Sequence, residues 1–159
     1  MSRYDWLLFL HMLSAFAVVA SIVLYTVLIA AAWDKDVPGD VVRLFRMSKV
    51  GDVLVAAGSI GVLIFGIWLA IDVDGYEVWD GWVIAAIVLW FVMGAFGSRT
   101  GKIYNAARDR ARDLVREGNN APSAELRALL QDRRGLWSHA GASITVLLLF
   151  IDMIFKPGA

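Results

Sequence analysis

The chain has 159 residues, 59% of them hydrophobic, and its mean hydropathy is +0.64. Fifteen basic residues balance fifteen acidic ones, which indicates no nucleic-acid partner, and the lack of cysteine excludes disulfides, thiolate metal sites and cysteine nucleophiles. A soluble domain is about 45–50% apolar. Here the excess falls in four blocks, with the charges almost entirely between them. Because a soluble helix keeps one polar face, this segregation predicts a single membrane domain over residues 1–159.

The four apolar blocks reach or approach the roughly 20 residues that a helix needs to cross a bilayer. We predict spans over residues 6–33, 53–71, 78–97 and 136–155. The first block is too long for a cleaved signal peptide, and the residues before it carry too little positive charge, so we expect a retained helix. The predicted fold class is an all-α integral membrane four-helix bundle.

The basic residues are distributed very unevenly among the linkers. Thirteen of the fifteen fall between spans one and two or between spans three and four. The linker between spans two and three has no basic residue and contains Asp72, Asp74, Glu77 and Asp80. Since basic loops stay in the cytoplasm, we predict that both termini lie outside. The expected location is the bacterial cytoplasmic (inner) membrane, with multiple passes.

The long linker over residues 99–134 has helical spacing of its own. We predict an amphipathic extension of the third helix that ends near Gly118, followed by a short helix from 124 to about 133 that Ser123 caps. Helices of this kind suit a surface of anionic lipid. The basic residues predicted to face that lipid are Arg108, Arg112 and Arg116.

Glycines recur at close spacing in the second and third spans. Small residues allow helices to approach closely, so packing is the first interpretation. The alternative is that they leave room for a flat cofactor or a substrate. The predicted packing positions are Gly58, Gly61, Gly94 and Gly97.

Polar groups inside a span are costly and therefore need a partner or a purpose. The first span carries a stripe at heptad spacing that should face the bundle interior, formed by His11, Ser14, Val18, Ser21 and Tyr25. One interpretation is a packing seam, in which Ser and Tyr form hydrogen bonds to neighbouring helices. The other is a polar path or a ligand pocket.

His11 and Asp152 are predicted to lie at similar depth in the outer half, one on the first helix and one on the fourth. As a pair, they could form a proton-binding site, a metal or haem site, or a structural bond. Alternatively, Asp152 simply faces water at the interface. His139 is predicted to lie near the cytoplasmic end, so the two histidines should not share one haem iron within a monomer.

The run Tyr4-Asp-Trp-Leu-Leu-Phe-Leu-His11-Met-Leu-Ser14-Ala resembles the opening of a family of small bacterial four-helix predicted integral membrane proteins of unknown function. Over about a dozen residues around His11, it is also similar to copper-resistance-D-like membrane domains and to the membrane protoporphyrinogen oxidase family. The resemblance to these two groups implies a haem or metal role for His11. The later histidine-rich pattern of the oxidase group is absent here.

Three functional hypotheses follow. The first is a membrane protein that binds or conducts a small solute or ion, with a site formed by the helix-one stripe and Asp152. The second is a redox protein that binds haem b or copper through His11, and the third is a structural subunit of a membrane complex. No catalytic residue is predicted, since no nucleophile elbow, phosphate loop, dinucleotide fingerprint or zinc motif occurs. The expected partners are the lipid bilayer and a second copy or another membrane protein.

Overall fold

The computed structural model describes residues 2–72 and 77–157, and these residues form helices and no strand. Asp74, part of the predicted acidic loop, lies outside the described residues. The helices, in chain order, are α1 (Arg3–Ala32), α2 (Pro38–Leu44), α3 (Ser48–Asp72), α4 (Gly81–Arg116), α5 (Ala124–Leu130) and α6 (Arg133–Phe155).

The ends of these helices follow from local chemistry. Ser2 and Asp5 form a capping box at the start of α1, in which each side chain accepts a hydrogen bond from the other residue's backbone N–H. Pro38 begins α2, where its missing N–H costs nothing. The Ser123 hydroxyl accepts a hydrogen bond from the backbone N–H of Leu126, as predicted for the N-cap of α5.

Four helices, α1, α3, α4 and α6, are long and apolar enough to cross a membrane. In their most apolar windows, only 17–28% of the residues are buried within the protein. An apolar surface of this extent would be strongly unfavourable in water, whereas in a bilayer it meets acyl chains. The predicted all-α, four-span fold is therefore confirmed.

The four long helices form two pairs. α1 packs along α3, and α4 packs along α6, whereas contacts between the pairs are sparse. We call the end of the bundle at Arg3, Asp72, Gly81 and Phe155 the terminal end, and the opposite end, which carries α2 and α5, the linker end. At the terminal end an ion pair between Arg3 and Asp72 joins α1 to α3.

At the linker end the two pairs are joined by a separate apolar core. Its centre holds Val41 of α2, Ala107 and Ala111 of α4, and Leu126 and Leu130 of α5, each with no exposed surface. The neighbouring linkers also bond to each other. Asn120 accepts a hydrogen bond from the Gly39 N–H (2.8 Å), and the Asp36 carbonyl accepts one from Ser123 N–H (2.9 Å).

The structure differs from the sequence prediction in two places at this end. The helix α2 was not predicted, because seven residues are too few to show a hydrophobic period. Its one clear sequence signal is Pro38. In addition, the apolar face of the α4 extension, including Ala107 and Ala111, is covered by α2 and α5 rather than left open to lipid.

Candidate functional site

The polar stripe of α1 packs against glycines of α3 along most of its length. A β-carbon built at Gly58 would lie 2.8 Å from the backbone oxygen of Ser14 and 2.9 Å from Cγ2 of Val18. One at Gly61 would lie 2.9 Å from Cβ of Ser14. The Ser14 hydroxyl donates a hydrogen bond to the Leu10 carbonyl (2.7 Å) and so does not need a partner on another helix.

The linker-end half of the stripe is also closed. Tyr25 donates a hydrogen bond to the Asp52 carboxylate of α3, and a β-carbon at Gly51 would lie 2.9 Å from the Tyr25 ring. Ser21 is buried, and its hydroxyl donates to the Val18 carbonyl (2.9 Å). This part of the stripe is therefore a helix–helix seam, in which each described hydroxyl has a partner inside the pair.

His11, at the other end of the stripe, has different surroundings. Its ring lies against Gly66, where a β-carbon would be 3.0 Å from Cε1. The backbone of Val62 lies within hydrogen-bonding range of the imidazole. Nδ1 is buried against Gly66, where a β-carbon would lie 3.2 Å from it, and it makes no hydrogen bond with the described residues. A molecule in contact with this ring would therefore meet its other atoms.

His11 lies on the wall of a partly enclosed cavity of about 620 Å³, situated between the two helix pairs in the terminal half of the bundle. All four long helices contribute to its lining, which is mostly apolar. Its polar contributors include Ser59, whose carbonyl accepts a hydrogen bond from Trp90 Nε1 (3.1 Å). The lining includes Leu8, His11, Ala15, Val18, Ser59, Leu63, Gly66, Val83, Ala86, Trp90, Leu149 and Met153. Ligand pockets have volumes of roughly 300–1,000 Å³ and are lined mainly by apolar groups, as this one is.

Asp152 does not line this cavity, and it forms no hydrogen bond or ion pair with His11. It is buried on α6, and its Oδ2 makes no hydrogen bond with the described residues. Contacts of Phe96 with Gly141 and of Tyr104 with Gly135 set the register of α4 and α6. That register places Asp152 level with Ala86. The structure therefore does not bring the two predicted partners together.

His139 lies at the linker end, opposite to His11, as its position in the sequence predicts. Its Nε2 is 2.8 Å from the Thr26 hydroxyl of α1. Both residues line a second cavity of about 440 Å³ together with Trp33 and Asp34. The two cavities have no lining residue in common. The described residues thus place the two histidines in separate sites.

The remaining predicted positions have different surroundings. Gly58 and Gly61 pack against α1, but nothing lies within 4 Å of a β-carbon built at Gly94 or Gly97. Packing at these two positions is therefore not observed among residues 2–72 and 77–157.

The arginines predicted to face lipid lie beside acidic side chains. Arg108 and Arg112 both contact Asp109, at 3.1 and 3.4 Å, and Arg116 contacts Asp113 at 3.5 Å. Lipid contact by these arginines stays a prediction, and their surroundings do not favour it.

Tyr104, beyond the predicted third span, is a buried group that the sequence did not single out. Its ring stacks on Phe45 with centroids 6.5 Å apart, and its hydroxyl makes no hydrogen bond with the described residues. Burial and the nearby Asp132 carboxylate raise the pKa of Tyr104 to about 12. The hydroxyl therefore stays protonated at neutral pH, and Tyr104 acts as part of the linker-end core.

Metal ions and haem differ in the donors that they require. Within 2–72 and 77–157 there is no group of three or more His, Asp or Glu side chains that could hold a metal ion. Haem needs as few as one protein ligand, so a single imidazole on a cavity wall remains compatible with it.

Comparison with known proteins gives one family. No curated protein and no solved structure shows significant similarity to the chain. A family model does match the chain over residues 5–157, which is nearly the whole sequence. This match agrees with the four apolar helices described above. The chain belongs to the family described as predicted integral membrane protein (DUF2269).

Proposed function

We propose that this protein binds a small, mainly apolar molecule inside the bilayer, in the cavity between its two helix pairs. The observation that carries the proposal is the cavity of about 620 Å³, bordered by four helices, with the imidazole of His11 among its lining side chains. The first sequence hypothesis combined binding with conduction. The helix–helix seam on the linker-end side of His11 favours binding over conduction. Along this seam, Ser14, Ser21 and Tyr25 form their hydrogen bonds within the α1–α3 pair, so the described residues leave no polar path through the bundle there.

Selectivity in such a site must come from its polar contact. Lipid tails are as apolar as the leucines of the lining, so an apolar molecule gains little by leaving the bilayer for the cavity. A hydrogen bond to His11 in a dry site adds binding free energy that the lipid tails, which have no hydrogen-bonding groups, do not provide. The proposed ligand class is therefore a small apolar molecule that carries one hydrogen-bonding group.

A cavity-filling substitution tests this proposal directly. Ala15 lines the cavity and Ala20 is exposed on the same helix, so Ala15→Leu fills the site while Ala20→Leu is a matched control. The probe is aminoanthracene, whose emission rises in apolar surroundings, titrated into the purified protein. We expect Ala15→Leu to weaken probe binding by about tenfold or more, as bulk added to an apolar pocket does. Equal affinity in both variants would contradict the proposal.

A b-type haem held by His11 is the second candidate function. The observation that favours it is the position of a lone imidazole on the wall of a cavity of this volume. Bound haem would supply one-electron redox chemistry; His11 would hold its iron, and the apolar lining would exclude water. The absorbance spectrum of the protein purified after haem supplementation tests it. A Soret band that His11→Leu abolishes is expected, and a spectrum without the band would remove this candidate.

A further inference from the structure

The basic residues at the linker end fall into two groups with different partners. Along the outer part of α4, arginines pair with acidic side chains, including Arg110 with Glu125 at 2.9 Å and Arg112 with Asp109 at 3.4 Å. A second group is exposed and forms no ion pair with the described residues. Its members are Lys35, Arg43, Arg46, Lys49, Arg99, Lys102, Arg127, Arg133 and Arg134. We call the four that lie on the α4–α6 pair, Arg99, Lys102, Arg133 and Arg134, the basic collar.

The four members of the basic collar lie within about 10 Å of one another along the α4–α6 pair, because Arg99 is seven residues from the level of Arg133 at 1.5 Å per residue. The Phe96 ring comes so close to Gly141 that a β-carbon there would be 2.9 Å from Cε1, and the Tyr104 ring approaches Gly135 in the same way at 3.0 Å. Arg99 and Lys102 lie between these two contacts on α4, while Arg133 and Arg134 begin α6 beside the second one.

The stretch that carries the basic collar includes the end of the apolar surface. The apolar part of α6 begins at Leu136, directly after the collar, and Trp137 is 75% exposed beside it. Tryptophan is enriched where acyl chains meet headgroups, so its exposure marks the same boundary. The basic collar therefore lies at headgroup depth if the apolar surface fills the bilayer.

Distance separates the paired arginines from that boundary. α4 continues without interruption to Arg116, and the register sets Leu136 level with about residue 103 of α4, so Arg110 to Arg116 lie roughly 10–20 Å beyond the start of the apolar surface at 1.5 Å per residue. The attraction of an anionic membrane surface falls off within a Debye length, about 8–10 Å at ordinary ionic strength. The collar is within that range, Arg110 lies at its limit, and Arg112 and Arg116 are outside it.

We propose that the basic collar binds the phosphate groups of anionic lipids at the linker-end surface of the bilayer. Unpaired Arg and Lys side chains are free to donate charge-assisted hydrogen bonds to phosphate oxygens, and arginine does so in a bidentate manner. This surface replaces Arg108, Arg112 and Arg116 as the lipid contact of the linker end. It is independent of the cavity and of any ligand there.

The test compares two triple variants of the purified full-length chain in symmetric bilayer discs. The discs contain phosphatidylcholine with increasing phosphatidylglycerol, and native mass spectrometry counts the phosphatidylglycerol molecules that stay bound. Lys102→Gln/Arg133→Gln/Arg134→Gln should weaken phosphatidylglycerol retention by about tenfold or more, given the attraction of each basic residue to an anionic surface. The matched control Arg110→Gln/Arg112→Gln/Arg116→Gln should change it by less than about twofold.

Two further measurements keep the result interpretable. Arg133→Lys/Arg134→Lys preserves the charge and should keep the preference for phosphatidylglycerol. Raising salt from about 0.1 to 1 M, which shortens the Debye length from about 10 to 3 Å, should abolish the preference in the wild type. Equal losses of bound phosphatidylglycerol in the two triple variants would overturn the proposal. Undiminished phosphatidylglycerol binding by the collar variant would also overturn it. Capture of a soluble acidic protein by the collar, with lipid retention unchanged, would also overturn it.

Discussion

At the scale of single residues, the glycines of α3 and α4 have opposite surroundings although their spacing in the sequence is similar. A side chain at Gly58 would collide with the backbone of α1, whereas a side chain at Gly94 would meet open space. Backbone cannot move aside as a flexible side chain can. The same substitution at the two positions should therefore have effects of different sign.

We predict that Gly58→Ala destabilises the protein by about 1–3 kcal/mol, the usual cost of overpacking. Gly94→Ala should be neutral or stabilising by up to about 1 kcal/mol, since alanine favours a helix over glycine. Denaturant unfolding of the two variants in mild detergent measures both. Equal destabilisation would show that Gly94 is packed against a partner outside this chain.

His11 and Asp152 should behave as independent residues. Their side chains share no hydrogen bond or ion pair, and they belong to different helix pairs. We predict that the effects of His11→Leu and Asp152→Leu on the free energy of unfolding add within about 0.5 kcal/mol in the double variant. A larger coupling energy, measured by the same unfolding experiment, would show that the two groups interact after all.

The sequence could predict that the α1 stripe faces inward, but not what covers it. Heptad spacing determines which residues share a face, and the structure places Val18 and Ser21 inside the bundle as expected. The pairing of His11 with Asp152 was inferred from depth alone. Depth along a helix leaves the rotation of that helix undetermined, and in the structure the buried Asp152 forms no hydrogen bond or ion pair with His11.

At the scale of elements, the short helices α2 and α5 hold the two helix pairs together at the linker end. Leu126 of α5 has no exposed surface and contacts the core shared with α1, α2 and α4. The sequence predicted α5 from its cap at Ser123 but missed α2. The reason is that a seven-residue helix is specified mainly by the tertiary contacts that cover it.

Truncation of Leu126 tests this role. Leu126→Ala should destabilise the protein by about 2–5 kcal/mol, as buried leucine truncations do. It should also speed amide hydrogen exchange in α2, which packs on the same core. Leu147→Ala, at a side chain 59% exposed on α6, is the control with the same chemical change. Unchanged exchange in α2 would contradict a shared core.

At the scale of the whole molecule, the number of spans was readable from the sequence, because apolar blocks of about 20 residues have few alternatives. The predicted third span, 78–97, begins three residues before α4. The predicted second span, 53–71, lies within α3, and the fourth, 136–155, lies within α6. The division into two pairs with a cavity between them was not readable. It depends on which small residues meet across helices, a tertiary property.

The orientation in the membrane stays a prediction from the distribution of basic residues. Reporter fusions after Gly75 and after Ala159 should report the outside, and a fusion at Asn119 should report the cytoplasm. A cytoplasmic C-terminus would reverse the assignment of the terminal and linker ends without altering the helix pairs.

The central claim is that the cavity between the helix pairs holds a ligand. Native mass spectrometry of the protein released directly from its own membrane measures this, because a bound molecule adds a defined mass. We expect a small non-lipid adduct on the wild type that falls by about tenfold or more in Ala15→Leu and persists in Ala20→Leu. Adducts confined to ordinary lipids, and equal in all three proteins, would contradict the claim and leave the structural-subunit hypothesis in its place.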